Sequence, residues 1–366
     1  MTEIRIPWAK PRFTDREQFH LMQALRSTWI SGGYYVGKFE EEFNRYIGAT
    51  HGLTVANGTV ALHLSMLALG LGPGDEVVVP GYTFVAPGNM AIAVGARPVF
   101  VEIDPGTWCI DPSAVEEAIG SRTKAIVAVH IYGSICDMNA LTDIARRHRL
   151  ALIEDAAEAA FSRYEGKQAG TMGDLGCFSF QATKTITMGE GGFVVTRSAE
   201  LHNKMRQIRD HGMRKDKRYW HDLVGFNFRL TNLQAAVGFG QLETIEEILS
   251  LRRLMYQRYY NRLRDVPGIV LQQFRPQVDP VVWAVALRLE PHAFRLDRDS
   301  VMTALLEEGI ETRPGFYPFG VMPAYEAPRL KIAEEVASQV ISLPSYPSLT
   351  EDEINWICDE LLRLRR

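Results

Sequence analysis

The sequence predicts an α/β fold, in which a mostly parallel sheet is covered by helices on both faces, followed by a smaller α+β domain. Between residues 56 and 196, short runs rich in β-branched residues alternate with segments of helical length. These runs are apolar throughout, which is typical of strands that are buried on both faces. A long helical pattern and a second set of strands and helices follow.

Four strands and four helices can be read in order in the first part. The predicted strands are EVVVP (76–80), RPVFVEI (97–103), TKAIVAVHIYG (123–133) and RLALIED (149–155). The predicted helices are GTVALHLSMLALGL (58–71), FVAPGNMAIAVGA (84–96), DPSAVEEAIGS (111–121) and DMNALTDIARRH (137–148). Two more strands, CFSFQ (177–181) and GGFVVTR (191–197), are separated by too few residues for a helix.

The second part begins with a helical pattern that starts near residue 231 and runs past residue 262. It continues with a strand (283–289), a helix (300–309) that Gly309 can close, a strand (309–316) and an amphipathic helix from residue 351. We therefore expect a large domain over residues 1–248 and a small domain over residues 249–366.

Composition narrows the function classes. The 366 residues are 46% hydrophobic and 23% charged with a net charge of −4, so we expect a soluble protein that does not bind nucleic acid. The four cysteines form no C-x-x-C pair, which argues against a metal site and a disulfide framework. The start of the chain does not read as a signal peptide, and no apolar run is long enough to span a membrane, so we expect a cytoplasmic protein.

The run FSFQATKTITMGEGG (178–192) contains the strongest candidate for a reactive residue, Lys184. A lysine in a loop is usually a solvated charge, but small, hydroxyl and glycine residues surround this one. In a partly desolvated turn a lysine has a lowered pKa, as the amine of a Schiff base requires.

Two further features indicate a ligand. Asp155 ends a central parallel strand, where it can pair with a protonated pyridine nitrogen or cap the following helix. Asn57-Gly58-Thr59 opens a predicted helix, and its free amides with the Thr59 hydroxyl can bind an anion, although the same triplet is also an ordinary turn and cap. Ser179 can add a second hydroxyl to that anion site.

Together these segments resemble the DegT/DnrJ/EryC1/StrS family of sugar aminotransferases, which are fold type I pyridoxal-phosphate enzymes. The matching motifs occur in family order: NGTVALHL, GPGDEVVVP, IEDAAEA, FSFQATKTITMGEGG and FNFRLTNLQAAVGFGQLE. The resemblance implies a seven-stranded, mostly parallel sheet, pyridoxal 5'-phosphate as the cofactor, and a homodimer with shared active sites.

The resemblance also assigns roles to residues. Lys184 and Asp155 become the catalytic lysine that forms the Schiff base and the partner of the ring nitrogen. The remaining cofactor-binding positions are Gly58, Thr59 and Ser179 at the phosphate, Phe84 stacked on the ring unless it is a core residue, Glu158 at the ring edge, and Asn227 reaching the neighbouring subunit's cofactor. Arg229 belongs to the same motif as Asn227 or is a structural ion-pair partner. The sugar-facing candidates are Arg313, Tyr317, Tyr219, Trp220 and His221, of which the last three can equally pack a subunit interface.

The resemblance implies that the reaction is transfer of the amino group of glutamate to a keto nucleotide sugar, and within the family the likeness favours GDP-4-keto-6-deoxymannose. Thr183, which stands where similar enzymes have Asn, leaves the sugar open, and so amination at carbon 3 or of a UDP- or dTDP-sugar remains an alternative. O-antigen and secondary-metabolite pathways are both compatible with the sequence. Dehydratases of the family have His in place of the lysine, so Lys184 argues against that class. A non-catalytic regulatory or binding protein is the alternative of another class.

Overall fold

The computed structural model describes residues 3–366. Its strands are β1 (His51–Val55), β2 (Glu76–Pro80), β3 (Arg97–Val101), β4 (Thr123–Val129), β5 (Ala151–Asp155), β6 (Arg163–Tyr164), β7 (Lys167–Gln168), β8 (Leu175–Ser179), β9 (Gly192–Thr196), β10 (Ile269–Leu271), β11 (Val278–Asp279), β12 (Ala286–Leu289), β13 (Arg313–Pro314) and β14 (Val340–Ser342).

Its helices are α1 (Asp15–Arg26), α2 (Tyr34–Ile47), α3 (Gly58–Leu69), α4 (Ala86–Ala93), α5 (Pro112–Ala118), α6 (Met138–His148), α7 (Ala199–Arg209), α8 (Asn232–Glu243), α9 (Ile245–Leu263), α10 (Arg298–Glu307), α11 (Lys331–Gln339) and α12 (Glu351–Arg363), with a 3₁₀ turn at Phe319–Val321. Side chains of Asn57, Asp111 and Asp137 cap the first turns of α3, α5 and α6. Caps of this kind satisfy amides that a helix cannot pair internally.

The central sheet has seven strands in the order β1–β9–β8–β5–β4–β2–β3. Strands β8, β5, β4, β2 and β3 pair in parallel, whereas β9 runs antiparallel to both of its neighbours. The predicted α/β fold with a mostly parallel seven-stranded sheet is therefore confirmed. Strand β1 was not read from the sequence, because HGLTV is short and contains Gly and Thr.

Strands β2, β8 and β9 are buried at every position, as their apolar sequences predict. Strand β5 lies in the middle of the sheet and ends at Asp155. The carboxyl ends of such central strands are where parallel sheets bind ligands. The sheet order thus carries Asp155 to the edge at which a site is expected.

The C-terminal part contains a second, four-stranded antiparallel sheet in the order β10–β12–β14–β13. The helical pattern from residue 231 is two helices instead of one, because the chain leaves helical geometry at Thr244 (φ −110°, ψ 16°). The strand predicted over 309–316 is limited to two residues, at the second of which Pro314 cannot donate a backbone hydrogen bond. The boundary at residue 248 stays a prediction, since α9 runs through it without a break.

Within the described chain, none of the helices combines the length and the apolar character needed to cross a bilayer.

Candidate active site

A cavity of about 910 Å³ opens at the carboxyl ends of β4, β5 and β8. Nine of the side chains and backbone positions predicted from the sequence line it: Gly58, Thr59, Phe84, Asp155, Glu158, Ser179, Lys184, Arg313 and Tyr317. They come from segments up to 259 residues apart (58 to 317), and the sheet order brings them to one edge. The candidate lysine, the candidate carboxylate and the candidate anion site therefore share one cavity.

Lys184 lies on the connection between β8 and β9, the two adjacent antiparallel strands. Its backbone amide donates to the Gln181 carbonyl at 2.9 Å, which closes a tight turn. Its Nζ lies 3.6 Å from Glu158 Oε1 and 3.7 Å from the centre of the Trp283 ring. Lys184 is therefore not a solvated loop charge, because a carboxylate and an aromatic face hold its amine inside the cavity.

Burial shifts the pKa values of the ionisable groups in the cavity. It lowers the pKa of Lys184, although the negative charges of Glu158 and Asp155 oppose the shift. It raises the pKa of Glu158 to about 7, and it raises the pKa of Asp155, in both cases against the opposing charge of Lys184. Desolvation thus disfavours every charge in the empty cavity. A cation placed beside Asp155 or Glu158 would oppose that effect and favour the ionised carboxylate.

Asp155 accepts one hydrogen bond, from the Ala157 amide to Oδ1 at 3.1 Å. Within residues 3–366 its Oδ2 accepts none, and Asp155 lines the cavity although it is only 7% exposed. One oxygen of Asp155 therefore stabilises the turn that follows β5, as a capping residue would, and the other oxygen makes no hydrogen bond. That oxygen is available to a positively charged donor.

The first turn of α3 forms a small cradle. Asn57 Oδ1 accepts from the Val60 amide at 2.9 Å, while the amides of Gly58 and Thr59 donate to no acceptor in the described chain. A Cβ placed on Gly58 would come within 2.8 Å of Ser179 Cβ, so the serine hydroxyl and these amides are close together. Free amides at a helix start and adjacent hydroxyls favour a phosphate or another anion.

Sequence reasoning missed an aromatic wall of the cavity. Tyr132 stacks on Phe316 with 5.4 Å between ring centres and also on Trp283 at 6.2 Å. The Trp283 indole donates to the Thr183 carbonyl at 2.7 Å and packs edge-on against Trp8. The positive φ of 55° at Tyr132, beside Gly133, is a strained geometry of the kind found near functional sites. Nothing in the sequence placed these distant aromatics together.

Phe84 and Tyr317 are each about half exposed at the cavity mouth, at 54% and 51%, so Phe84 is not a core residue. Phe84 lies 6.1 Å from the Phe316 ring. Arg313 pairs with Glu311 at 2.5 Å and lies over the Trp8 ring. These three side chains form the rim, where a substrate larger than the cavity would make contact.

Four of the predicted cofactor- and sugar-binding residues lie outside this cavity: Asn227, Tyr219, Trp220 and His221. All four are exposed on the segment between α7 and α8, where Asn227 bridges to Asp210. Arg229 forms an ion pair with the same Asp210, so its predicted alternative as a structural partner is seen. Within one subunit the structure does not bring these residues to the site, and their predicted role across a subunit interface stays a prediction.

Curated proteins and solved structures that are similar to this chain over nearly its whole length include several aminotransferases. GDP-perosamine synthase of Caulobacter vibrioides is 42% identical over 359 residues, covering 96% of both chains. GDP-perosamine synthase of Vibrio cholerae is 41% identical over 359 residues, covering 97% of both chains. The crystal structure of DesV from S. venezuelae in complex with a ketimine intermediate superposes with a TM-score of 0.90 at 36% identity, covering 95% of this chain and 94% of that chain.

The fold and the site, together with these relatives, define an aminotransferase. A model of the DegT/DnrJ/EryC1/StrS aminotransferase family matches residues 11–362, and the chain belongs to this family. The resemblance inferred from five sequence motifs is therefore confirmed over nearly the whole chain.

Proposed function

We propose that the protein is a pyridoxal-phosphate-dependent aminotransferase that transfers the amino group of glutamate to GDP-4-keto-6-deoxymannose and so forms GDP-perosamine. One observation carries the chemistry: Lys184, Asp155 and the start of α3 line the same cavity. The sugar is supported by relatives named GDP-perosamine synthase at 39–42% identity over nearly the full chain.

The residues present fit pyridoxal 5'-phosphate. The cofactor has an anionic phosphate, a ring nitrogen that is cationic when protonated, and an aldehyde. The cradle of Gly58, Thr59 and Ser179 suits the phosphate, the unused oxygen of Asp155 suits the ring cation, and Lys184 supplies the amine. When bound, the cofactor supplies the aldehyde that takes up an amine and the ring that withdraws electrons from the adjacent carbon.

Asp155 has the task of keeping a positive charge in place. Burial raises the pKa of its carboxyl, so in an empty cavity the charged form is disfavoured. A cationic ring nitrogen beside Oδ2 would reverse that effect and keep the carboxylate ionised. The strand position of Asp155 and its bond to Ala157 hold the oxygen in a fixed direction.

Lys184 has the task of moving a proton. Its lowered pKa increases the fraction of the amine that is unprotonated near neutral pH, so Nζ can accept a proton from substrate carbon and return it. Glu158, at 3.6 Å, stabilises the ammonium form while the proton is held. Trp283 covers the amine and keeps it from water.

The rim residues Arg313 and Tyr317 are the proposed contacts for the nucleotide sugar, because they are exposed at the mouth of the cavity. We propose a homodimer in which Asn227 and the residues near Tyr219 and His221 complete the site of the neighbouring subunit. The side chains of Asn227, Tyr219 and His221 are all exposed on the segment between α7 and α8, so a neighbouring subunit can reach them. We also propose a cytoplasmic location, in line with nucleotide sugars as substrates.

The proposal is tested by incubating the cofactor-loaded protein with glutamate and a panel of keto nucleotide sugars that differ in nucleotide and in keto position. Formation of GDP-perosamine and 2-oxoglutarate in equal amounts, from GDP-4-keto-6-deoxymannose in preference to the others, is the expected result. Preferred amination of a 3-keto or a UDP- or dTDP-sugar would replace the substrate assignment. Failure to bind the cofactor would favour a binding protein instead.

A further inference from the structure

Tyr132, in the turn that follows β4, adopts the left-handed backbone region with φ 55°, which bulky residues rarely occupy. Gly133 comes next, and a Cβ placed on it would lie 2.6 Å from the Val281 carbonyl oxygen. The Ser162 hydroxyl donates to the Gly133 carbonyl at 2.9 Å and accepts from the Val281 amide at 2.8 Å. The turn after β4 is therefore packed closely against the chain at residues 281–283.

Both backbone groups of Tyr132 have partners in the active-site cavity. Its N–H donates to Glu158 Oε2 at 3.1 Å, and its carbonyl accepts from the Trp283 amide at 3.3 Å. Glu158 and Trp283 both contact Lys184 Nζ, at 3.6 Å and at 3.7 Å from the ring centre. The angle between the N–H and the carbonyl of one residue depends on its φ and ψ. A change of backbone region at Tyr132 would therefore displace at least one neighbour of the lysine amine.

The Tyr132 side chain holds this backbone geometry in place. Its ring is buried and stacks on Phe316 at 5.4 Å and on Trp283 at 6.2 Å, while Trp108 packs edge-on at 6.1 Å. Its hydroxyl lies 3.4 Å from the Tyr82 hydroxyl, which is a long hydrogen bond. A strained backbone persists when its surroundings determine it several times over, and here the ring contacts do so.

We propose that Tyr132 is a positioning residue for Lys184, because its left-handed backbone directs the Glu158 carboxylate and the Trp283 ring onto the lysine amine. A carboxylate and an aromatic face both stabilise the ammonium form. The position of the Tyr132 backbone therefore influences how readily the amine holds a proton. The consequence for turnover rests on the proposed function, whereas the consequence for the amine does not require the cofactor.

The amine can be followed in the cofactor-free protein. Competitive labelling with trace acetic anhydride modifies an amine in its unprotonated form, and mass spectrometry of the peptide that contains Lys184 gives the pH at which half of the amine is unprotonated. Lys167, on the exposed position of β7, is the reference within the same sample. This labelling midpoint is the measured quantity.

The charged groups around Lys184 stay the same in every variant of Tyr132. Glu158 and Asp155 carry negative charges beside the amine, and Arg252, from α9, donates to the Lys184 backbone carbonyl at 3.4 Å. A change in the midpoint therefore reports where these neighbours lie and not which of them are present.

Tyr132→Val should lower the midpoint by about 0.5–1 pH unit, because a β-branched residue disfavours the left-handed region and both ammonium-stabilising contacts weaken. Tyr132→Asn also removes the ring but tolerates that region, so its midpoint should fall less. Tyr132→Phe keeps the ring and should match the parent protein. In the cofactor-loaded enzyme, Tyr132→Val should lower kcat by roughly 10-fold with little change in the KM for glutamate.

If Tyr132→Val does not fold, Tyr132→Ala and Tyr132→Gly take the places of the Val and Asn variants, since they differ by one methyl group that disfavours the left-handed region. A folded Val or Ala variant with an unchanged or raised midpoint would overturn the proposal, as would equal falls in the two members of a pair. A lowered midpoint in a protein that, loaded with cofactor, aminates no sugar would refute the proposed function and leave the positioning role of Tyr132 standing.

Discussion

Glu154 and Asp155 are consecutive residues at the end of β5, yet their carboxylates have opposite surroundings. Glu154 is fully buried and accepts from the His130 ring and from the amides of Gly170, Met172 and Gly173. Asp155 accepts a single hydrogen bond and lines the cavity. Adjacent residues of a strand point to opposite faces of the sheet. The Glu154 carboxylate therefore binds the amides of residues 170–173, whereas the Asp155 carboxylate faces the cavity and is free to contact a ligand.

We therefore expect substitution of Asp155 to affect activity and substitution of Glu154 to affect stability. Asp155→Asn should lower kcat by about 10²–10³-fold, since the neutral amide no longer stabilises a ring cation, while the melting temperature changes little. Glu154→Gln should instead destabilise the fold by roughly 1–3 kcal/mol, because the NH₂ group that replaces one carboxylate oxygen is a donor and leaves backbone N–H groups without an acceptor at a buried site. Thermal unfolding and steady-state kinetics of both variants provide the check. Equal effects of the two substitutions on kcat and on stability would contradict this division of roles.

Lys184→Ala should reduce turnover by at least about 10²–10⁴-fold, because the proton-transferring amine is lost. The variant should also lack the visible absorbance of a lysine-linked cofactor. Turnover and the absorbance spectrum of the purified protein are the measurements. Lys167→Ala, on the exposed position of β7, is the matched control and should behave like the parent protein. Substantial activity in Lys184→Ala would remove the lysine from the mechanism.

Gly58→Ala should weaken cofactor binding by roughly 10-fold or more, since the new methyl group would lie 2.8 Å from Ser179 Cβ and displace the hydroxyl from the cradle. Fluorescence titration of the cofactor-free protein measures the Kd. Gly37→Ala in α2 is the control, because a Cβ there meets nothing within 4 Å. That control should bind normally and gain about 0.4–1 kcal/mol of stability. Unchanged affinity in Gly58→Ala would argue against the phosphate site.

Glu158 should make the stability of the cofactor-free protein depend on pH. Burial raises the pKa of its carboxyl from 4.5 to about 7, so the folded state holds this proton more tightly than the unfolded state. The resulting stability is complete below pH 4.5 and is lost as the pH rises through about 7. Glu158→Gln cannot lose the proton and should lack this decline.

Denaturant unfolding between pH 5 and 8 measures the effect. The difference in unfolding free energy between Glu158→Gln and the parent protein should grow by about 1–3 kcal/mol across this interval. Glu117→Gln, at an exposed position of α5, should follow the parent protein at every pH. A constant difference for Glu158→Gln would show that this carboxyl does not titrate in the window.

Shared active sites can be tested by mixing two inactive variants. If Asn227 serves the neighbouring subunit's cofactor, refolding Lys184→Ala together with Asn227→Ala should place both substitutions at one site of a mixed dimer and leave the other site intact. About a quarter of the parental activity should then return, as random pairing within a two-fold dimer requires. Light scattering checks the dimer, and the absence of any recovered activity would indicate sites built from one subunit.

Local patterns predicted the parallel strands, and local patterns together with the family resemblance pointed to residues that line the cavity. Apolar runs identify buried strands, and Asp155 and Gly58 lie directly beside such elements. Lys184 stands out through its unusual neighbours. Strand β1 was missed because a five-residue run with Gly and Thr carries little periodicity.

The cavity wall could not be predicted in this way. Trp283, Phe316 and Trp8 lie hundreds of residues from some of their contacts, and their sequence surroundings are those of ordinary core strands and loops. Arg252 looks like one of many arginines on α9, and only tertiary packing reveals that it is buried. The break at Thr244 also escaped notice, since Thr is compatible with a helix until the backbone turns.

The placement of Trp8 has a practical consequence for anyone preparing this enzyme. Its indole donates to Ser342 Oγ at 2.6 Å, its amide donates to Glu311, and its ring lies edge-on to Trp283 at the wall of the cavity. Removing the first ten residues would take Trp8 out of the cavity wall and leave Trp283, the ring that covers Lys184 Nζ, without this aromatic contact.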